Sequence, residues 1–278
     1  MKVVPTIAEC RAERAKLTGT VGFVPTMGAL HAGHVSLIEQ ARRHADHVAV
    51  SVFVNPTQFG PREDFTKYPR PIMADLQACE RAGVDLVFSP PPQEMYNADA
   101  PKIVVDLPEL TSVLEGKHRP GHFVGVCQVV AKLFNVVRPD AACFGMKDYQ
   151  QLRVIEAMVE ALNFPIRVVR CPTLRDPDGM AMSSRNQYLS PQDRERGLSI
   201  SRALLLAEGE VKAGVKQTNR LLASVTRTLL EKHLNIDYAA AVDPQTLKPV
   251  EVVTGPTVLA IAARVGNTRL IDNRIVSP

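Results

Sequence analysis

What most constrains this chain is an alternation of two hydrophobic periods along its first 170 residues. Val21-Gly22-Phe23-Val24 reads as a short buried strand, and residues 35–45 carry Leu37, Ile38 and Ala41 at helical spacing. Residues 48–54 are again a β-branched run. Strand, helix, strand in that order is a βαβ unit, with parallel strands and a right-handed crossover. The alternation continues with a helix over 72–82 ending at Gly83, a strand over 84–88 and a further strand at Ile103-Val104-Val105. A helix over 124–137, a strand over 141–144, a helix over 148–162 and a strand over 166–169 close the series. Such a pattern predicts an α/β fold built on a doubly wound parallel sheet.

After Cys171-Pro172 the pattern changes. Residues 173–190 form a polar loop holding Asp176, Asp178, Gly179 and the paired Ser183 and Ser184. Helices over 191–213 and 217–234 follow, then strands over 236–242 and 257–265, with Gly266-Asn267 turning the chain into Arg269-Leu270-Ile271. The chain therefore divides into residues 1–173 and a smaller α+β domain over residues 174–278. A 278-residue chain that is 45% hydrophobic and 22% charged has core enough for two modest domains. Net charge is 33 − 29 = +4 with no lysine or arginine block, which argues against a nucleic-acid tail or a polybasic membrane anchor. The apolar stretch over 124–137 is interrupted by Lys132 and Asn135 and is too short for a bilayer. Five cysteines, at 10, 79, 127, 143 and 171, match no metal or redox spacing and read as buried free thiols of a cytoplasmic protein.

The segment with the most chemistry is Pro25-Thr26-Met27-Gly28-Ala29-Leu30-His31-Ala32-Gly33-His34, between the first predicted strand and the first predicted helix. That is the carboxyl end of the sheet, where open α/β sheets bind ligands. Gly28 and Gly33 allow close backbone approach, and a helix entered just after Gly33 offers N–H groups and a positive dipole end to a phosphate. In the first helical turn His31 and His34 would share a face and could meet phosphate oxygens. The same pair is also compatible with zinc ligation, for which a third ligand nearby is missing, or with plain helix capping. Gly145-Met146-Lys147-Asp148 repeats the strand-to-helix arrangement, with Lys147 as a point charge and Asp148 as a ribose acceptor or a helix cap. Gln58, just after a strand, can donate to a hydroxy acid and accept from an amine, or simply cap its loop. Gln151 lies one helical turn beyond Lys147, either facing a pocket or facing solvent.

His31-Ala32-Gly33-His34 resembles the H-x-G-H signature of the nucleotidyltransferase superfamily, and Met182-Ser183-Ser184-Arg185-Asn186 resembles its downstream loop. The longer strings are more specific. P-T-M-G-A-L-H-x-G-H, F-V-N-P-x-Q-F at 53–59, Y-P-R at 68–70, R-P-G-H-F at 119–123, F-G-x-K-D-Y-Q-Q at 144–151 and M-S-S-R-N occur in that order, with Leu270-Ile271-Asp272-Asn273 near the end. Together they resemble the pantothenate synthetase (pantoate–β-alanine ligase) family; Met146 stands where the family usually carries an acidic residue.

That resemblance implies a Rossmann-like sheet of the nucleotidyltransferase type, which binds ATP and pantoate, with the smaller domain as a lid. It implies condensation of pantoate with β-alanine through a pantoyl adenylate, releasing pyrophosphate and then AMP. ATP contacts are implied for Met27, Gly28, Ala29, Leu30, His31, Ala32, Gly33, His34, Gly145, Met146, Lys147, Asp148, Leu174 (through its backbone), Met182, Ser183, Ser184 and Arg185. Pantoate is implied at Gln58 and Gln151, with Gln58 also meeting β-alanine. His34 is the implied proton donor, and His31, His34, Lys147 and Arg185, with the helix N-terminus, are expected to supply positive charge around the transferring phosphorus. Magnesium is expected as ATP's partner, with Asp75 a candidate contact, and a homodimer is implied. The rival readings are an adenylyl transferase that stops at a phosphate acceptor, or a nucleotide-binding or RNA-binding module descended from a synthetase; near-neutral charge and the absence of tryptophan and of a basic stripe weigh against the latter.

Overall fold

A computed structural model describes residues 1–61, 63–99, 101 and 103–278. In chain order the first part runs β1 (Lys2–Val4), α1 (Ile7–Lys16), β2 (Val21–Thr26), α2 (Ala32–His44), β3 (His47–Val52), α3 (Ile72–Arg81), β4 (Leu86–Phe88), and the short helices α4 (Pro92–Met95), α5 (Pro108–Thr111) and α6 (Leu114–His118). Then come α7 (His122–Val137), β5 (Ala141–Gly145), α8 (Tyr149–Ala161) and β6 (Arg167–Cys171). The remainder is α9 (Pro191–Lys212), α10 (Thr218–Glu231), β7 (Asn235–Val242), β8 (Thr257–Val265) and β9 (Thr268–Val276). The chain folds into two compact units. The first comprises Met1–Thr111, Arg119–Met146 and Gln151–Pro172, and the second Ser112–His118, Lys147–Gln150 and Thr173–Pro278.

The first unit is built on a six-stranded sheet in the order β1-β4-β3-β2-β5-β6, every pairing parallel. The chain starts its winding at β2, steps outward through β3 and β4, then returns to β2's other side with β5 and β6. The strand order therefore reverses between β2 and β5, which makes this the sheet's topological switch point. Strands buried on both faces need continuous apolar runs rather than alternation, as Val48, Ala49 and Val50 supply in β3. Ile38, Ala41 and Cys79 from α2 and α3 close over Val24, Val48, Val50 and Val87 to form one core.

The second unit holds an antiparallel sheet, β7-β8-β9, whose core side is covered by α9 and α10. Leu204, Ala207, Leu221, Val225 and Leu229 on those helices meet Leu259, Ile261, Ala263 and Val276 on the strands.

One expectation fails and two are refined. Ile103-Val104-Val105 is no strand: β-branched residues favour extended backbone, but among the described residues no strand pairs with them, and Ile103 and Val104 are exposed. The helix foreseen over 148–162 begins only at Tyr149, after a single 3₁₀ turn over Met146–Asp148. The polar loop over 173–190 is partly ordered, with a bridge between Arg175 and Ala181 and a 3₁₀ turn over Ser184–Tyr188. The structure also adds β1 and α1, in which Cys10 is the sole buried helical residue and so leaves little hydrophobic pattern to read. Among the described residues no helix is long and apolar enough to cross a membrane.

Candidate active site

At the end of β2 the backbone turns left-handed twice in succession, at Gly28 (φ 82°) and Ala29 (φ 51°). The cause lies on α3. The Asp75 carboxylate, buried to 2% exposure, accepts the Ala29 N–H at 2.9 Å and the Leu30 N–H at 2.7 Å. A Cβ on Gly28 would lie 2.8 Å from the same carboxylate. Gly28 thus serves approach to Asp75, and Asp75, the candidate magnesium contact, directs both oxygens into the loop. Among the described residues no group of three or more His, Cys, Asp or Glu gathers that could hold a metal ion.

The loop delivers His31 to the N-cap of α2 rather than to its first turn. His31 Nδ1 accepts the Gly33 N–H at 3.1 Å, and His34 Nδ1 accepts the His31 N–H at 3.3 Å, a capping box made from two imidazoles. Both Nδ1 atoms act as acceptors, so each neutral ring carries its proton on Nε2. The rings lie 4.1 Å apart, centroid to centroid. The capping reading of the two histidines is therefore met. Capping fixes the tautomer that presents Nε2–H donors.

Gln58 closes a 3₁₀ turn, Pro56–Gln58, capped by Asn55. The residue is 8% exposed. Gln58 Nε2 donates toward Met27 Sδ at 3.1 Å, and its Oε1 accepts from Asn55 Nδ2 at 3.0 Å. Asn55 also donates to the Gly125 carbonyl and accepts from Tyr96 Oη at 2.7 Å. The turn rests on α7 at Gly125, where any Cβ would come within 2.3 Å of the Thr57 carbonyl oxygen. The R-P-G-H-F string supplies the rest of this support. His122 Nδ1 bonds the Gln58 carbonyl at 2.8 Å, Arg119 Nη1 reaches His122 Nε2 at 3.0 Å, and Arg119 grips both oxygens of Glu63 at 2.7 Å. Burial would raise the Glu63 carboxyl, but the Arg119 hydrogen bonds and charge outweigh it and hold the group below its ordinary value. Gln151, half-buried, lies on α8 in the same unit.

A family model described as pantoate–β-alanine ligase matches residues 2–275. The chain belongs to the pantoate–β-alanine ligase family. A pantothenate synthetase of Acidobacterium capsulatum is 50% identical over 288 residues, covering 98% of this chain and 96% of that protein. The crystal structure of pantothenate synthetase from Thermus thermophilus is 46% identical and superposes with a TM-score of 0.94 over 100% of both chains. That of pantoate–β-alanine ligase from Francisella tularensis, described as complexed with β,γ ATP and β-alanine, is 32% identical, with a TM-score of 0.80 over 99% of this chain and 97% of that one.

The second unit carries the other family motifs. Lys147 sits in the 3₁₀ turn ahead of α8, its Nζ 3.8 Å from Asp148 Oδ1. The Leu174 carbonyl accepts the Met182 N–H at 3.0 Å, which ties the base of the M-S-S-R-N loop to that residue. Ser183 caps the following turn by accepting the Arg185 N–H, and Asn186 Nδ2 donates to the Ala181 carbonyl. Arg194 on α9 pairs with Asp176 and Asp178, and Arg175 pairs with Asp272. Sequence reasoning missed Asp75's loop-holding role, the Asn55–Tyr96 pair and the Arg119–His122 chain. Arg119 and His122 were legible as a motif, but only folding shows what they hold.

Proposed function

We propose that this chain condenses pantoate with β-alanine at the expense of ATP, giving pantothenate, AMP and pyrophosphate. Family membership over nearly the whole chain supports the reaction. The observation that carries the reading of the site is the double-histidine cap of α2, aimed from the switch point between β2 and β5. A carboxylate cannot be displaced by an amine until its oxygen becomes a leaving group. Attack by pantoate's carboxylate on the α-phosphorus of ATP forms one C–O–P linkage, breaks the bond to pyrophosphate, and leaves an acyl adenylate. The β-alanine amine then attacks the acyl carbon and expels AMP. Neither step needs an enzyme nucleophile, so alignment and stabilisation of developing phosphoryl charge carry the catalysis.

In this reading the residues 27–34 hold ATP through the α2 N-terminus and the Nε2–H groups of His31 and His34, with His34 as proton donor. Gly145, Met146, Lys147, Asp148, Leu174 and Met182 to Arg185 are further nucleotide contacts, Lys147 and Arg185 supplying full positive charges. Gln58 and Gln151 receive pantoate, and Gln58 receives β-alanine as well. ATP enters as its magnesium complex, the ion held by phosphate oxygens, since Asp75 is committed to the loop. Five buried free thiols support a cytoplasmic, reducing setting. A homodimer is part of the same proposal, and a solution mass of twice the chain is its check.

Exchange of labelled pyrophosphate into ATP, with β-alanine absent, tests the first half-reaction. Exchange that requires pantoate is expected. Exchange without pantoate, or none with it, overturns the acyl-adenylate reading.

A further inference from the structure

The string Leu270-Ile271-Asp272-Asn273 has no part in the chemistry above, yet it lies on β9 among residues that hold other segments of the second unit. Alternation divides its side chains between two faces. Leu270 and Arg274 turn to the helical side, Leu270 against the unit's core and Arg274 to Glu208 on α9. Arg269 and Asn273 turn to the other. There Arg269 grips both oxygens of Glu115 on α6, at 2.6 and 2.8 Å, and reaches Asp237 at 2.6 Å. Asn273 Nδ2 donates to the main-chain carbonyl of Lys147 at 2.7 Å.

The next residues beyond Lys147 are fixed as well. Tyr149 Oη donates to the Pro244 carbonyl, while Gln150 accepts the Glu115 N–H and donates to the Val113 carbonyl. The Asn273 bond acts on Lys147 itself. Asn273 is buried, and its own N–H is held by Asp272 Oδ1 at 2.8 Å. Asp272 is clamped in turn by two bonds from Arg175, next to Leu174. A short amide bond to a carbonyl, with its donor locked at the backbone, suits a part whose task is to set a peptide plane.

We propose that Asn273 is a positioning residue for the ligase reaction: it fixes the Lys147 peptide so that the ammonium is delivered to the phosphates of ATP, with Asp272 holding Asn273 in register. This rests on Lys147 acting on those phosphates. A misplacement of about 1 Å at such a group can cost about 10²-fold in rate, and loss of one anchoring bond should fall at or below that figure.

The test is a double-mutant cycle on pantoate-dependent pyrophosphate exchange, using the full chain and the variants Asn273→Ala, Lys147→Ala and the pair. Asn273→Ala is expected to lower exchange about 10- to 100-fold and to weaken ATP binding by calorimetry, with the pantoate KM unchanged. In the Lys147→Ala background Asn273→Ala should change the rate less than twofold, because the group it positions is gone. Equal factors in both backgrounds would overturn the proposal, since a general loosening of the unit does not depend on the Lys147 ammonium. Asn273→Asp retains size but faces the carbonyl with an acceptor; exchange at the wild-type rate in that variant also overturns it. If Lys147→Ala itself exchanges at the wild-type rate, the reading of Lys147 fails and the positioning role falls with it. An impaired Lys147→Ala beside a wild-type Asn273→Ala refutes the positioning role alone.

Discussion

At His34 one ring atom builds the fold, and the other is the one proposed for chemistry. Nδ1 closes the capping box with the His31 N–H, and Nε2 bears the proton. An asparagine at this position can keep an acceptor near Nδ1 but has nothing at Nε2. His34→Asn is therefore expected to lower the exchange rate about 10²–10³-fold, by analogy with loss of an oxyanion donor, while the thermal midpoint stays near wild type. Wild-type exchange in that variant would remove His34 from the mechanism. His34→Gln, which restores a donor near Nε2, should recover part of the loss. Gly28 makes the opposite point, since its constraint is purely geometric. With φ at 82° and Asp75 2.8 Å from where a Cβ would stand, Gly28→Ala must bear a left-handed backbone and displace the carboxylate. The backbone alone costs about 1–2 kcal/mol. We expect a lower denaturation midpoint together with weakened ATP binding, because the Ala29 and Leu30 amides lose their acceptor; equal midpoints would contradict the assignment.

Among elements, the 3₁₀ turn bearing Gln58 shows how α7 holds a proposed substrate contact in place through the backbone. Gly125 lets the turn lie against the helix, and Arg119 and His122 at the helix entrance hold the Gln58 carbonyl through a chain that ends on Glu63. That chain carries a pH dependence of definite sign. Glu63 ionises more readily folded than unfolded, so its contribution is complete above the ordinary glutamate value of about 4.3 and is lost as pH falls through the lower folded value. Urea midpoints of the wild type and Glu63→Gln should be furthest apart near neutrality and converge on acidification toward about pH 3. A gap that stays constant or widens would show that the Arg119 pair contributes no such linkage. Parts of this support were visible beforehand: R-P-G-H-F and F-V-N-P-x-Q-F stood out as strings. Their mutual contact, 64 residues apart between His122 and Gln58, was not, because no local period encodes which loop a helix entrance will meet.

For the molecule as a whole, the thiols give a prediction independent of the reaction. All five cysteines are free and buried, and they lie in or beside the parallel sheet of the first unit. Burial pushes Cys10 and Cys79 up to about 11 and Cys127 up to about 12, so their thiolate fractions near pH 8 are at most about 10⁻³. Cys143 is raised too, by its hydrogen bond with Cys171 and by burial. The Cys171 thiol is lowered by the same hydrogen bond, so the prediction concerns the other four: the native protein should leave Cys10, Cys79, Cys127 and Cys143 unmodified by an aromatic disulfide reagent over minutes at pH 8 and yield five equivalents in denaturant. Rapid modification of any of those four in the native state would mean that the sheet opens locally.

The sequence by itself determined the parallel α/β architecture, the two loops that leave β2 and β5, and the family, because hydrophobic period and short motifs are local and survive in one dimension. It determined much less where single residues of little local signature were concerned. Asp75 could be read as a metal candidate or nothing at all, and Ile103-Val104-Val105 as a strand, though no described strand pairs with them. Whether His31 and His34 cap the helix stayed open until the backbone showed both Nδ1 atoms engaged. Asn273 read only as part of a motif. These were decided by tertiary structure alone, since a hydrogen bond such as that from Asn273 to Lys147 joins residues 126 positions apart. Its worth depends on an angle and a distance that no spacing along the chain can specify.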